Sequence, residues 1–138
     1  VGGKTSRSAY KINSDIAVYL KYATKTTARF KEYVFTFSRD HLAELSKIAL
    51  QNNQAFVALI CVKDREVCCL TLGELNALLA ARTKALVKLG KNEDTLTVLV
   101  TVPKVKSLRV YVNEPGVKKT VLGKEKIVSR SNFPDAIF

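Results

Sequence analysis

The chain has 138 residues, with 23 Lys and Arg against 12 Asp and Glu, so its net charge is +11. Apolar residues make up 47% of the composition, which excludes a disordered basic tail and predicts a single folded domain over residues 1–138. No apolar run approaches the ~20 residues that a membrane-spanning helix needs, and no secretory signal is recognisable. We therefore expect no membrane partner and an intracellular location, in the cytoplasm, the nucleoid or the nucleus. Because the first residue is Val1 and not Met, we expect a processed or trimmed chain.

The first elements along the chain are two strands and a helix. Residues 1–14 are rich in Gly, Ser, Thr and Lys, which is typical of a flexible or edge segment. Residues 16–23 alternate apolar with mixed side chains, and residues 29–37 place aromatic side chains on one face, so both segments are predicted strands. A helix over 38–50 follows, with Ser38 as its expected N-cap.

A buried hairpin is expected next. Residues 55–62 form the most apolar run of the chain, which predicts a central strand buried on both faces. Residues 66–70 are its expected partner, joined by a two-residue loop at Asp64-Arg65. This register places Cys61 opposite Cys68, slightly too far apart for a disulfide. We expect these two thiols and Cys69 to be buried and reduced.

The second half begins with a well-marked helix and continues as strands. Thr71 and Glu74 form a capping box, and Gly90 suits the left-handed position after a helix that ends near Leu89. Residues 95–102 alternate strictly and predict a strand, and residues 108–112 predict the next.

The last part of the chain is expected to turn back onto the body. Pro115-Gly116 suits a type II turn, and residues 117–122 are a candidate returning strand. The apolar end, residues 133–138, is expected to dock on the domain. Helices and strands in this order predict an α+β fold in which a mixed, mostly antiparallel sheet packs with two helices.

The sequence contains no complete motif for catalysis or for metal binding. Three Cys and one His lack the paired spacing of a zinc site, so no metal is predicted. Gly2-Gly3-Lys4-Thr5 resembles the end of a phosphate-binding loop, but no strand precedes it. His41 is expected to be an ordinary surface histidine. We therefore predict no cofactor.

Basic residues concentrate in two segments, 4–31 and 104–130, and tyrosines lie among them. Phosphates attract such cations, and aromatic faces can stack on bases, so the segments favour nucleic acid, DNA above all, as the partner. An acidic protein partner is the alternative, and the oligomeric state stays open. The cations expected to bind phosphates are Lys4, Arg7, Lys11, Lys21, Lys25, Arg29, Lys31, Lys104, Lys106, Arg109, Lys118 and Lys119.

The order of a strand pair, a helix and a buried strand behind a basic segment resembles restriction-endonuclease-like (PD-(D/E)XK) domains. The resemblance covers about half of the chain and implies a magnesium ion held by Asp15 and Glu32, with Lys21 or Lys31 beside the attacked phosphate. No Glu-x-Lys or Asp-x-Lys triplet stands on either strand. This departure favours a catalytically silent DNA-binding domain or subunit, with a magnesium-dependent nuclease and a protein-interaction module as alternatives.

Overall fold

The structure is a computed structural model, which describes residues 9–11, 16–51, 54–117 and 120–137. Eight strands and three helices lie within these ranges, so the predicted α+β class is confirmed, although the strands form two sheets and not one. In chain order the elements are β1 (Ala9–Lys11), β2 (Ile16–Ala23), β3 (Tyr33–Ser38), α1 (Arg39–Gln51), β4 (Gln54–Cys61), β5 (Glu66–Thr71), α2 (Leu72–Lys88), β6 (Thr95–Thr101), β7 (Leu108–Tyr111), β8 (Lys126–Val128) and α3 (Asn132–Asp135).

Each sheet has four strands. The first has the order β1-β2-β4-β5, in which β2 and β4 run parallel and the other pairs are antiparallel. The second has the order β3-β6-β7-β8 and is antiparallel throughout. Parallel neighbours need a long crossover, and the chain makes it through β3 and α1. The connection from β2 to β4 therefore passes through the second sheet.

The main core lies between the two sheets and is closed by α1 and α2. Phe35 from β3, Leu59 from β4 and Leu75 from α2 belong to one buried cluster. A smaller cluster covers the opposite face of the first sheet, where Phe56 packs with Ile137 of the C-terminal segment. Two expectations are confirmed by this arrangement: β4 is an inner strand buried on both faces, and the apolar end of the chain docks on the body.

The predicted hairpin register is wrong. Cys61 lies opposite Glu66, and Cys68 lies opposite Leu59, because the loop contains four residues, 62–65, and not two. A shift of two residues keeps each side chain on the same face, so the cysteines remain buried as expected. All three are free thiols, and burial raises the pKa of Cys61 to about 12 and that of Cys69 to about 11.

The predicted helix caps are present. The Ser38 hydroxyl accepts a hydrogen bond from the His41 amide at 3.2 Å. Thr71 and Glu74 form both bonds of the capping box, at 3.1 and 2.9 Å. Gly90 follows α2 with φ +65°, and its amide donates to the Val87 carbonyl at 3.0 Å. These local signals fix where both long helices begin or end.

The region after β7 differs from the expectation. Gly116 has φ +80° in the predicted Pro-Gly turn. Residues 117 and 120–122, the described part of the candidate returning strand, are not in a strand. The Leu122 amide donates to the Val112 carbonyl at 2.9 Å, and the chain joins the sheet later, as β8. None of the described helices is long and apolar enough to cross a membrane.

Candidate nucleic-acid interface

Three loops leave the two sheets at the same end of the molecule. Ala23, the last residue of β2, pairs with Cys61, the last residue of β4, so the loops that follow these parallel strands start side by side. Tyr33, the first residue of β3, pairs with Val100 near the end of β6, which brings the β6–β7 loop to the same end. We call this surface the basic end and define it by its three loops, residues 24–32, 62–65 and 102–107.

Tyr33 ties two of these loops together across the gap between the sheets. Its side chain is fully buried, and its hydroxyl donates to the Asp64 carboxylate at 2.5 Å and accepts from the Asp64 amide at 3.0 Å. The Val62 amide also donates to the Ala23 carbonyl at 3.1 Å. Burial, assisted by the bond to the Asp64 carboxylate, raises the pKa of Tyr33 to about 12. The tyrosine therefore stays neutral and holds the hairpin loop against the start of β3.

Arg130 holds the third loop. Its Nε donates to the Lys106 carbonyl at 2.9 Å, and its Nη2 donates to the Pro103 carbonyl. The remaining branch of the guanidinium pairs with the Glu66 carboxylate, at the start of β5. A single side chain therefore bridges both sides of the β6–β7 loop and connects them to the other sheet.

The basic end exposes many more cations than anions. Its loops contain two acids: Glu32 is only 3% exposed, and Asp64 is exposed and accepts a hydrogen bond from Tyr33. Glu66, just after the hairpin loop, is paired with Arg130. The exposed cations on the three loops are Lys25, Arg29, Lys31, Lys63, Arg65, Lys104 and Lys106. Such an imbalance produces a positive potential that attracts polyanions.

Five of these seven cations were among the predicted phosphate-binding residues. The structure places them on loops at the same end of the two sheets, where Arg29 also lines a cleft on the outer face of the second sheet. Lys63 and Arg65 were missed, because in the sequence they flank Asp64 and precede Glu66 and look electrically balanced. The hairpin position itself was the available signal, since a loop between two buried strands must project from the sheet.

The backbone of the basic end is unusual. Three described residues other than glycine have a positive φ, and each lies in a different loop of this surface: Lys31 at +54°, Arg65 at +54° and Val105 at +50°. Residues other than glycine rarely adopt this backbone conformation, because their Cβ atom crowds the backbone. Strained backbone of this kind concentrates at functional sites, where the surrounding structure maintains it.

Lys21 does not belong to this exposed surface. Its ammonium group contacts the Thr36 carbonyl and lies 3.0 Å from His41 Nδ1 and 4.9 Å from the centre of the Phe37 ring. Burial lowers the pKa of Lys21, and burial together with the lysine charge lowers the pKa of His41. His41 is therefore a partly buried, partnered residue whose Nδ1 accepts hydrogen bonds, and not the plain surface histidine that was expected.

The residues suggested by the nuclease resemblance are not all brought together. Glu32 lines a cleft of about 480 Å³ on the outer face of the second sheet, beside Val34 and Asn113. Lys21 lies on the other side of this sheet, because it contacts Phe37, whose side chain belongs to the core between the two sheets. Asp15 lies outside the described residues. No group of three Cys, His, Asp or Glu side chains in the described ranges could hold a metal ion.

The remaining predicted phosphate contacts have varied positions. Arg109 is partly buried on β7 and pairs with Glu125 at 3.8 Å, so its charge is partly offset. Lys11 lies in β1. The other four lie outside the described residues: Lys4, Arg7, Lys118 and Lys119.

Comparison with known proteins found no match for this chain among family models, curated proteins or solved structures.

Proposed function

We propose that this domain binds nucleic acid, with DNA as the expected form, through phosphate contacts made by the basic end. The observation that carries the proposal is that three loops at one end of the molecule carry seven exposed cations and a single exposed acid, Asp64. Phosphate contacts of this kind supply most of the affinity of non-specific DNA binding. The domain is expected to bind without cleaving its partner.

The loops are held in place before any partner arrives. Tyr33 fixes the hairpin loop, and Arg130 fixes the β6–β7 loop, each with two or more hydrogen bonds. Preorganised loops lose little conformational freedom on binding, so more of the electrostatic attraction appears as affinity. The guanidinium of Arg29 also lies over the Phe30 ring, 5.1 Å from its centre. A base can stack on this planar guanidinium.

The test compares two triple variants that carry the same net charge. The first replaces Lys25, Arg29 and Lys104 of the basic end by Ala. The second replaces Lys84, Lys88 and Lys91 by Ala, on and just after the last turns of α2. Each lowers the net charge from +11 to +8, and none of the six side chains belongs to an ion pair in the described structure.

At low salt, the basic-end variant is expected to lose affinity for fluorescent duplex and single-stranded oligonucleotides of any sequence, because phosphate contacts carry no direct sequence information. The α2 variant should bind nearly as tightly as the parent. Equal losses in the two variants would show that net charge alone, and not the basic end, attracts the nucleic acid.

The two alternatives predict different results. A protein-interaction module would bind neither oligonucleotide at low salt and would instead bind an acidic protein partner. A nuclease would cleave supercoiled plasmid in the presence of magnesium and lose this activity on Glu32→Gln substitution. We expect the parent protein to leave the plasmid intact.

A further inference from the structure

The tip of the β6–β7 loop exposes an apolar residue in a strained conformation. Val105 has φ +50° and is 101% exposed, and the exposed Lys104 and Lys106 lie on either side of it. Valine is branched at Cβ, so it tolerates this backbone poorly, whereas Gly or Asn would adopt it readily. Neither folding nor solubility gains from a valine here.

The valine is presented by a rigid support. β6 and β7 are the two middle strands of the second sheet, with Thr101 opposite Arg109, and the loop of residues 102–107 joins them at the end of that sheet. Arg130 donates to carbonyls on both sides of the tip, at Pro103 and Lys106. The strained conformation is therefore maintained, and Val105 projects from the basic end with a cation at each side.

This arrangement matches the dimensions and chemistry of the major groove of DNA. The groove is about 12 Å wide and admits an α-helix or a two-stranded β-ribbon, so it also has room for a single loop. Among the groups that base pairs present there, the C5-methyl group of thymine is the apolar one, and the others donate or accept hydrogen bonds. An exposed aliphatic side chain at the tip of a loop has this methyl group as its natural partner.

We propose, on the basis of the proposed function above, that the β6–β7 tip enters the major groove and that Val105 contacts thymine methyl groups. Lys104 and Lys106 bind the phosphates on either side, and they position the tip without reading the sequence. The domain then has a modest preference for thymine-containing duplexes, superimposed on its general attraction to phosphates.

An anionic lipid surface also attracts a basic loop with an apolar tip, but it fits these observations less well. Membrane attachment grows with the apolar area that is inserted, and one valine side chain inserts very little. A single methyl contact is enough to distinguish thymine from other bases, because discrimination depends on a difference in affinity.

The experiment pairs a change in the protein with a change in the DNA. Val105→Asn removes the aliphatic side chain and relieves the backbone, so its melting temperature should equal or exceed that of the parent. Binding is measured to two duplexes of the same sequence, one with thymine and one with deoxyuridine, which lacks the C5-methyl group. The parent should bind the thymine duplex about four times more tightly, which is the ratio of affinities expected from burying one methyl group. The variant should bind both duplexes equally.

Val87→Asn is the matched control, because Val87 is 70% exposed on α2, away from the basic end. It should retain the preference of the parent. A variant at Val105 that still prefers the thymine duplex would overturn the inference and leave the proposed function standing. Absence of parent binding to either duplex would overturn both. Val105-dependent binding to phosphatidylserine vesicles, without a thymine preference on DNA, would also overturn the inference.

Discussion

Replacing Tyr33 by Phe tests the link between the two sheets at the basic end. The substitution keeps the buried ring and removes the hydroxyl, which makes two hydrogen bonds to Asp64, at 2.5 and 3.0 Å. One of these bonds is to a carboxylate, and bonds to charged groups contribute about 1.5–3 kcal/mol. Asp64 is exposed, so water replaces part of what is lost. At neutral pH we expect the free energy of unfolding to fall by about 2 kcal/mol.

The same substitution should change how stability depends on alkaline pH. Tyr33 has a folded pKa of about 12 against an ordinary value of 10. Between these values the unfolded chain releases a proton that the folded chain retains, so the contribution of Tyr33 is complete below pH 10 and is lost as the pH rises towards 12. A difference of this size corresponds to roughly 2–3 kcal/mol. The stabilities of the parent and Tyr33→Phe should therefore converge near pH 12.

Urea denaturation between pH 7 and pH 12 measures both effects. The buried cysteines, whose pKa values are also raised, lower stability at alkaline pH in both proteins and cancel in the difference. Tyr22→Phe is the control for loss of a hydroxyl, because Tyr22 is 71% exposed, and it should change neutral-pH stability by less than about 0.5 kcal/mol. Parallel pH profiles for the parent and Tyr33→Phe would refute the role given to the buried hydroxyl.

Three further predictions concern the core and one helix end. Leu59→Ala, at a fully buried position of the inner strand β4, should lower the free energy of unfolding by ~2–5 kcal/mol in urea denaturation; a loss below 1 kcal/mol would contradict the packing. Cys61, Cys68 and Cys69 should react slowly with a thiol reagent in the native protein and rapidly in denaturant, because each is buried; rapid native labelling of all three would contradict this. Gly90→Ala should lower stability by about 1–2 kcal/mol, measured by thermal denaturation, because its φ is +65° and the space around it is open, so the cost is purely conformational; an unchanged melting temperature would argue against the left-handed helix end.

Local signals in the sequence predicted the elements well. Ser38 and the Thr71–Glu74 pair cap their helices, and the alternation in 16–23 and 95–101 gives strands at those positions. These features depend on neighbours a few residues away, so a short segment contains all the information. The apolar run that forms β4 was equally clear, because eight consecutive apolar residues are best accommodated in an inner strand whose two faces are both buried.

Features that depend on distant parts of the chain were not predicted. Two hairpin registers keep Cys61 and Cys68 on the same face, and composition does not distinguish a two-residue loop from a four-residue loop. The parallel pairing of β2 with β4 and the division into two sheets arise from the crossover through β3 and α1. Lys21 looked like an exposed cation because its partners, Thr36 and His41, come from later in the chain.

The candidate interface was anticipated in its charge but not in its geometry. The basic segments supplied Lys25, Lys31 and Lys104, and folding placed them at one end with Lys63 and Arg65. A linear sequence cannot show this convergence, because loops from different sheets meet only through the strand order. The strained backbone of the same loops likewise appears only in three dimensions.

The salt dependence of DNA binding tests the central claim most directly. A phosphate-binding surface releases counterions, so log affinity for duplex DNA should fall linearly with log salt concentration, by ~0.9 for each phosphate neutralised. The parent should show a steep slope, the Lys25, Arg29 and Lys104 triple variant a slope reduced by up to about 2.7, and the Lys84, Lys88 and Lys91 variant the slope of the parent. A flat slope in the parent, or the same slope in all three proteins, would contradict the assignment of the basic end as the nucleic-acid interface.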